Sequence, residues 1–213
     1  MKPHKLLFWK SMKSTMGTAA LLSAILTGGR SSRMGQPKAG VRLASGRTLL
    51  EHVASSAQEL GWPCIAVGLA DGLSGDQYLG LEVLPDEMLA RGPLGALHAL
   101  FRNGRAAHYL VLSCDQPLVQ AKLLRKLTER LDERPNVFAC AGAFTPLPGL
   151  YPASILSTVE QALASPKASL RALLERHNYR SIVISPDEWQ LLRGANTAAD
   201  VAELNRMLTQ RPE

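Results

Sequence analysis

Residues 28–38, GGRSSRMGQPK, gather three glycines, two arginines and a lysine with no acidic side chain among them. Glycines lack a Cβ, so their backbone can approach a ligand closely, and successive N–H groups in a tight loop cradle an anion. Arg30, Arg33 and Lys38 add fixed positive charge around the same concavity. A triphosphate is the guest such a loop suits. A single acidic residue stands in a matching position. Asp115, within Cys114-Asp115-Gln116-Pro117, follows the apolar run Tyr109–Ser113 at the point where a strand hands over to a loop, and open α/β sheets bind their ligands there.

Two common phosphate loops are excluded by spacing. The P-loop requires G-x-x-x-x-G-K-[ST], whereas Lys38 lies three residues past Gly35 and precedes Ala39. The dinucleotide fingerprint requires G-x-G-x-x-G, and Gly28-Gly29 followed next by Gly35 does not supply it.

The elements that must carry these residues alternate along the chain. Leu21–Leu26 reads as a buried strand feeding the basic loop. Thr48 and Glu51 have capping-box spacing, so a helix starts there, with Leu49, Leu50, Val53, Ala57 and Leu60 on one stripe and Gly61 as its end. Cys64–Val67 and Leu81–Leu84 read as strands, Gly92–Asn103 as a helix stopped by Gly104, and Tyr109–Ser113 as a strand covered on both faces. A helix with the stripe Leu123, Leu124, Leu127 and Leu131 follows, and then the strand Val137–Ala141. Pro146-Leu147-Pro148-Gly149 reads as a rigid, non-helical crossing. Helices over 154–164 and 169–176, a strand over 181–184, and a last helix capped by Thr197 and Asp200 complete the pattern. This order predicts a single-domain α/β fold, a doubly wound and mostly parallel sheet with helices on both faces.

Composition narrows the function. Residues 1–50 carry nine Lys or Arg and no Asp or Glu, while the other 163 residues carry 15 basic and 18 acidic side chains. Charge this localised fits a small anionic ligand and argues against nucleic acid, which needs a wider basic face. No apolar run approaches the ~18 residues that span a membrane. Cys64, Cys114 and Cys140 lie in or beside apolar runs without a C-x-x-C, reading as buried thiols of a reducing, cytoplasmic setting. The histidines lack zinc-ligand spacing.

The segment from Leu26 to Lys38 matches L-x-G-G-x-S-x-R-M-G-x-x-K through Leu26, Gly28, Gly29, Ser31, Arg33, Met34, Gly35 and Lys38. It resembles the nucleotidyltransferases, and among them the MobA-like molybdenum cofactor guanylyltransferases. Thr48-Leu49-Leu50, Asp86 with Gly92-Pro93-Leu94, Cys114-Asp115-Gln116-Pro117, Pro148-Gly149-Leu150-Tyr151 and Asn196-Thr197 extend the resemblance from about Ser23 to Met207. The resemblance implies a Rossmann-like nucleotidyltransferase fold and Mg²⁺-dependent transfer of GMP from GTP to molybdopterin. It also implies transient contact with molybdenum cofactor delivery proteins. Leu26, Thr27, Gly28 and Gly29 would hold the nucleotide, Lys38 its phosphates, Asp86 the nucleoside, and Asp115 both nucleotide and Mg²⁺. Lys38 and Arg33 would offset charge on the leaving pyrophosphate, with the Gly28 and Gly29 N–H groups alongside.

The chain departs from the family pattern at Thr27 (usually Ala), Pro37 (usually Asp), Gly68 (usually a nucleotide-contacting Asn) and Gly194 (usually Asn). Pro37-Lys38 is more typical of the related cytidylyltransferases, whereas Gly92-Pro93-Leu94 favours guanine. Within the same chemistry a molybdopterin cytidylyltransferase or another sugar- or alditol-phosphate nucleotidyltransferase is the alternative. A module that only binds nucleotide is the alternative of another class, and it has no need of both Lys38 and Asp115. Taken alone, Asp115 before Pro117 and Asp86 after Pro85 also suit turn or cap positions. Asn196 reads as a structural cap and Arg30 as a solvated charge.

Residues 1–20 carry four lysines and only the short apolar cluster Leu6–Trp9, too short for the core of a signal peptide. They read as a basic, disordered extension ahead of a nucleotidyltransferase domain over residues 21–210. Deleting residues 1–15 should therefore leave the melting temperature and nucleotide affinity unchanged within error, measured by thermal shift and titration calorimetry. A loss of several degrees would mean that the segment docks on the domain.

Overall fold

The computed structural model describes residues 19–28, 37–70, 73, 75–86, 88, 91–165 and 168–210. Gly29, Arg30, Arg33 and the rest of residues 29–36 lie outside the described residues, as do residues 1–18, so the expectations placed on them find no test there.

Seven strands form one sheet in the order β3-β2-β1-β4-β6-β5-β7. They are β1 (Ala19–Leu26), β2 (Cys64–Val67), β3 (Glu82–Leu84), β4 (Ala106–Ser113), β5 (Asn136–Cys140), β6 (Ala143–Pro152) and β7 (Arg180–Val183). β1 begins inside the stretch assigned to the extension, because Ala19 donates its N–H to the Arg105 carbonyl at 3.0 Å. All neighbours pair in parallel except β6, which runs antiparallel to both β4 and β5. The mostly parallel α/β expectation holds.

Helices cover both faces. β1 alternates: Leu22, Ala24 and Leu26 join the core under α2 (Gly92–Asn103), α4 (Leu156–Leu163) and α5 (Leu170–Arg176). Ile25 joins the opposite core under α1 (Leu49–Gln58) and α3 (Ala121–Thr128). That alternation is the period-2 geometry of a strand buried on both sides. The helix signals read from the sequence are realised. Thr48 and Glu51 form a capping box, and Gly104 ends α2 in the left-handed region at φ 68°. Two further helices, α6 (Pro186–Gln190) and α7 (Ala198–Thr209), each start from a capping box.

The structure corrects three local expectations. Residues 146–149 are not a crossing but belong to β6. The β5 pairing jumps from Phe138↔Thr145 to Val137↔Gly149, so Pro146–Pro148 bulge out of that ladder, where a missing N–H costs nothing. Gly149 then allows Tyr151 to fold back and donate its hydroxyl to the Pro146 carbonyl, since a Cβ there would stand 2.7 Å from the ring. Leu131 is no part of the α3 stripe; the helix ends at Thr128 and Leu131 is 45% exposed. Finally, α6 was not anticipated, although Ser185-Pro186-Asp187-Glu188 carries its start signal.

Asn136 explains how α3 ends. Its buried carboxamide donates at 2.8 Å to the Leu127 carbonyl, which the helix terminus leaves open, and at 2.8 Å to the Arg130 carbonyl just beyond it. Replacing it in Asn136→Leu should cost about 2 kcal/mol, because two carbonyls lose their donor and the apolar side chain offsets only part. Urea unfolding checks this; a change below ~0.5 kcal/mol would show that water replaces the donor freely.

Candidate active site

The order β3-β2-β1-β4 reverses direction at β1, so the crevice beyond the carboxyl ends of these strands is the natural ligand site. Thr27, Gly28, Gly68, Asp86 and Asp115 all follow the last residue of a strand there.

At one wall two strand-to-loop turns nest together. The N–H groups of Thr27 and Gly28 donate to the Val67 carbonyl at 2.9 and 3.2 Å. The Thr27 hydroxyl donates to the Gly68 carbonyl at 2.5 Å. Gly68 sits at φ 84°, and a Cβ on it would lie 2.8 Å from the Gly28 Cα and 2.9 Å from its N. Only glycine fits there. The departures at Thr27 and Gly68 are therefore one arrangement, since the hydroxyl bonds the very turn that the missing side chain admits. The Gly28 N–H bonds Val67 on this wall of the crevice.

At the centre stands Lys38. It opens a 3₁₀ turn, Lys38–Gly40, whose Ala39 is buried against α1 and so fixes the side chain's origin. Its Nζ donates to Asp115 Oδ2 at 2.8 Å and to Asn196 Oδ1 at 2.6 Å. The other carboxylate oxygen of Asp115, Oδ1, accepts from the Ser113 hydroxyl at 2.6 Å, and the Asp115 carbonyl accepts from Ala195 N–H at 2.8 Å. Asp115 is thus no helix cap; Gln120 holds that place for α3. Nor does Asn196 cap α7, which Thr197 does with its hydroxyl. Beside them, burial and the neighbouring Asp115 charge push the Cys114 thiol up to about 12, leaving it inert as a nucleophile.

Gln116, which the sequence did not single out, ties the walls together: its Nε2 donates to the carbonyls of Leu147 at 3.2 Å and Leu192 at 2.8 Å. Asp86 Oδ1 accepts from Met88 N–H at 2.8 Å, a turn bond that leaves the carboxylate on the cavity wall.

Two adjoining cavities result. The smaller, about 200 Å³, brings Leu26, Thr27, Gly28, Lys38, Asp86 and Asp115 together. The larger, about 600 Å³, adds Arg91, Arg171, Gln116, Thr145 and Asn196. Gly92, Pro93, Ser113, Asp115 and Leu147 line both, so Asp115 stands at the seam. Arg171 is held over the Phe144 ring, 4.4 Å from its centroid, and donates to the Phe144 carbonyl at 2.8 Å. No cluster of three or more His, Cys, Asp or Glu occurs among the described residues. A lone carboxylate suits Mg²⁺, which takes one or two protein carboxylates and completes its shell with phosphates and water. The donor set therefore fits that ion. The Thr27–Gly68 turn supplies a test. Thr27→Val should cost ~1 kcal/mol in urea unfolding, for a buried carbonyl left without its donor, and Gly68→Ala more, because strain adds to it. Additive effects in the double variant would show the two positions to be independent.

Comparison with known proteins gives this geometry its context. The MobA-like NTP transferase domain matches residues 23–181. A probable molybdenum cofactor guanylyltransferase of Flavobacterium johnsoniae is 29% identical over 187 residues, spanning 87% of this chain and 96% of that protein. A molybdenum cofactor guanylyltransferase of Rhizobium leguminosarum is 30% identical over 91% of this chain and 96% of its own. In fold, the chain is similar to molybdopterin-guanine dinucleotide biosynthesis protein A from Archaeoglobus fulgidus, with a TM-score of 0.74 at 21% identity, covering 89% of this chain and all of that one. A domain match over most of the chain joins a sheet-edge site that unites Lys38 and Asp115: the protein belongs to the MobA-like NTP transferase family and is a nucleotidyltransferase.

Proposed function

We propose that the protein transfers GMP from GTP to the terminal phosphate of molybdopterin, releasing pyrophosphate, in molybdenum cofactor biosynthesis. The observation that carries this reading is the Lys38–Asp115 pair, whose carboxylate stands at the seam of two adjoining cavities of about 200 and 600 Å³. Relatives named for this reaction along almost their whole length support the choice of substrates. The free thiols of Cys64, Cys114 and Cys140 agree with a reducing, cytoplasmic setting.

The nucleoside occupies the smaller cavity, between the Thr27–Gly68 turn and Asp86. Molybdopterin occupies the larger, with Arg91 and Arg171 as the cations available to its phosphate. An oxygen of that phosphate attacks the α-phosphorus of GTP, a P–O bond forms, and the bond to the β-phosphate breaks. The attacking group is already ionised near pH 7, so no side chain must remove a proton. What the chain contributes is orientation and charge. Lys38 moves from Asp115 to the triphosphate and offsets negative charge that shifts onto the departing pyrophosphate. Asp115 would hold Mg²⁺, which when bound supplies neutralisation of the phosphate oxygens. Ser113 keeps the Asp115 carboxylate oriented through its hydroxyl.

Pyrophosphate release with GTP, Mg²⁺ and molybdopterin tests the reading directly. GTP should be preferred over CTP by tenfold or more, because a mismatched base leaves buried polar groups unpaired at ~1–3 kcal/mol each. Reversed preference would make the enzyme a cytidylyltransferase; binding without turnover would make it a nucleotide-binding module. Asp115→Asn should lower turnover by several orders of magnitude and abolish the magnesium dependence of GTP binding while the fold holds. Lys38→Ala should weaken GTP more than GMP, by about 1.5–3 kcal/mol.

A further inference from the structure

Lys38 has two oxygen acceptors of different kinds. Asp115 Oδ2, at 2.8 Å, is charged, and any cation arriving at that carboxylate competes with the lysine for it. Asn196 Oδ1, at 2.6 Å, is neutral and attracts a divalent cation far less. The second contact can therefore outlast the first.

The structure shows how Asn196 is held. Its own N–H donates to Asp200 Oδ2 at 2.9 Å. The same oxygen accepts from Thr197 N–H at 2.8 Å and Thr197 Oγ1 at 3.0 Å, while Asp200 N–H returns a bond to Thr197 Oγ1 at 3.2 Å. A capping box consists only of the reciprocal Thr197–Asp200 bonds. The bond to Asn196 lies outside it and adds nothing a helix terminus requires. These donors, that amide first, hold the Asp200 carboxyl below the usual carboxylate range.

The helix behind them is fastened to the segment that bears the lysine. Leu204 of α7 is buried with Val41, Leu43 and Leu49, a small core separate from the two that flank the sheet. Asn205 Oδ1 accepts from Ala44 N–H at 2.8 Å. Just before the helix Gly194 lies beside Asp115, where a Cβ would stand 3.4 Å from the carboxylate carbon, and Ala195 N–H donates to the Asp115 carbonyl at 2.8 Å. The C-terminal segment thus touches both, α7 the lysine's segment and the residues just before it the aspartate's loop.

We propose that Asn196 and Asp200 are positioning residues for Lys38: Asp200 fixes the Asn196 backbone, and the Asn196 carboxamide keeps the lysine ammonium at the cavity seam once Asp115 is engaged by a cation. This rests on the reading of Lys38 as the group that meets the triphosphate, but its geometry can be tested without any nucleotide.

In the full ligand-free chain, with and without Mg²⁺, the rate at which an amine-acylating reagent labels Lys38 is measured by peptide mass spectrometry against exposed Lys122. Asn196→Ala should raise Lys38 labelling at least threefold, and more with Mg²⁺ than without. Asp200→Ala should raise it too. Thr197→Ala, which loses the cap hydroxyl but keeps the Asp200–Asn196 bond, should lower the melting temperature and leave Lys38 labelling unchanged. Asn196→Ala spares the helix cap, so it decides the matter even if Asp200→Ala fails to fold. Unchanged labelling in Asn196→Ala, or equal effects of Thr197→Ala and Asp200→Ala on Lys38, overturns the proposal. In binding, the GTP-to-GMP affinity ratio should fall severalfold in Asn196→Ala and show no further fall when Asn196→Ala is added to Lys38→Ala. Were Lys38→Ala to leave that ratio intact while labelling still responds, the assigned role of Lys38 would fail and the positioning would stand.

Discussion

One ammonium group joins three parts of the chain that lie far apart in sequence. Lys38 Nζ meets Asp115 across 77 positions and Asn196 across 158. Each of these residues sits on a segment secured by its own packing: the Ala39 turn against α1, the loop closing β4, and the start of α7. An ion pair with both side chains partly exposed contributes little to stability by itself. Its importance here is positional, because no one element holds the site and the site exists only when all three are in place.

The same dependence explains what could be read in the sequence and what could not. Local signals act over three or four residues, and they were legible: the Thr48–Glu51 and Thr197–Asp200 boxes and the Gly104 stop all mark true boundaries. The buried strands were legible too, because β1 and β4 lie between covered faces and are predominantly apolar. The strand β6 was not. Two prolines within four residues argue against a ladder, and only the register jump opposite Val137 shows how the sheet accommodates them. Short α6 carries its signal in Ser185 and Glu188, yet five residues give no periodicity to confirm it.

The site followed a similar division. Asp115 could be singled out by its place after a strand, Lys38 by its basic, glycine-rich loop and Asp86 by the family resemblance, and the structure gathers them around one cavity. The bonds that orient them could not, being long-range and often to backbone: Gln116 to Leu147 and Leu192, Asn196 to Lys38, Thr27 to Gly68. Thr27 and Gly68 looked like two separate departures from a family pattern. In three dimensions they are one contact, and substituting either alone disturbs the other's reason for being there.

The reversed strand β6 has an architectural consequence. It divides the sheet into a parallel block, β3-β2-β1-β4, and a second block, β6-β5-β7. Nearly all the lining of the smaller cavity comes from the first block and its connections, whereas Thr145–Leu147 and residues 168–171 of the larger cavity belong to the second. Because β6 runs backwards, its irregular opening residues arrive at the same edge as the ends of the parallel strands, where β6 pairs with β4 and Gln116 donates to the Leu147 carbonyl. The two pockets thus draw most of their walls from different blocks while sharing Gly92, Pro93, Ser113, Asp115 and Leu147. A substitution at Thr145, Ser169 or Arg171 therefore alters the larger pocket without touching the lining of the smaller one, whereas a change at Leu147 alters both.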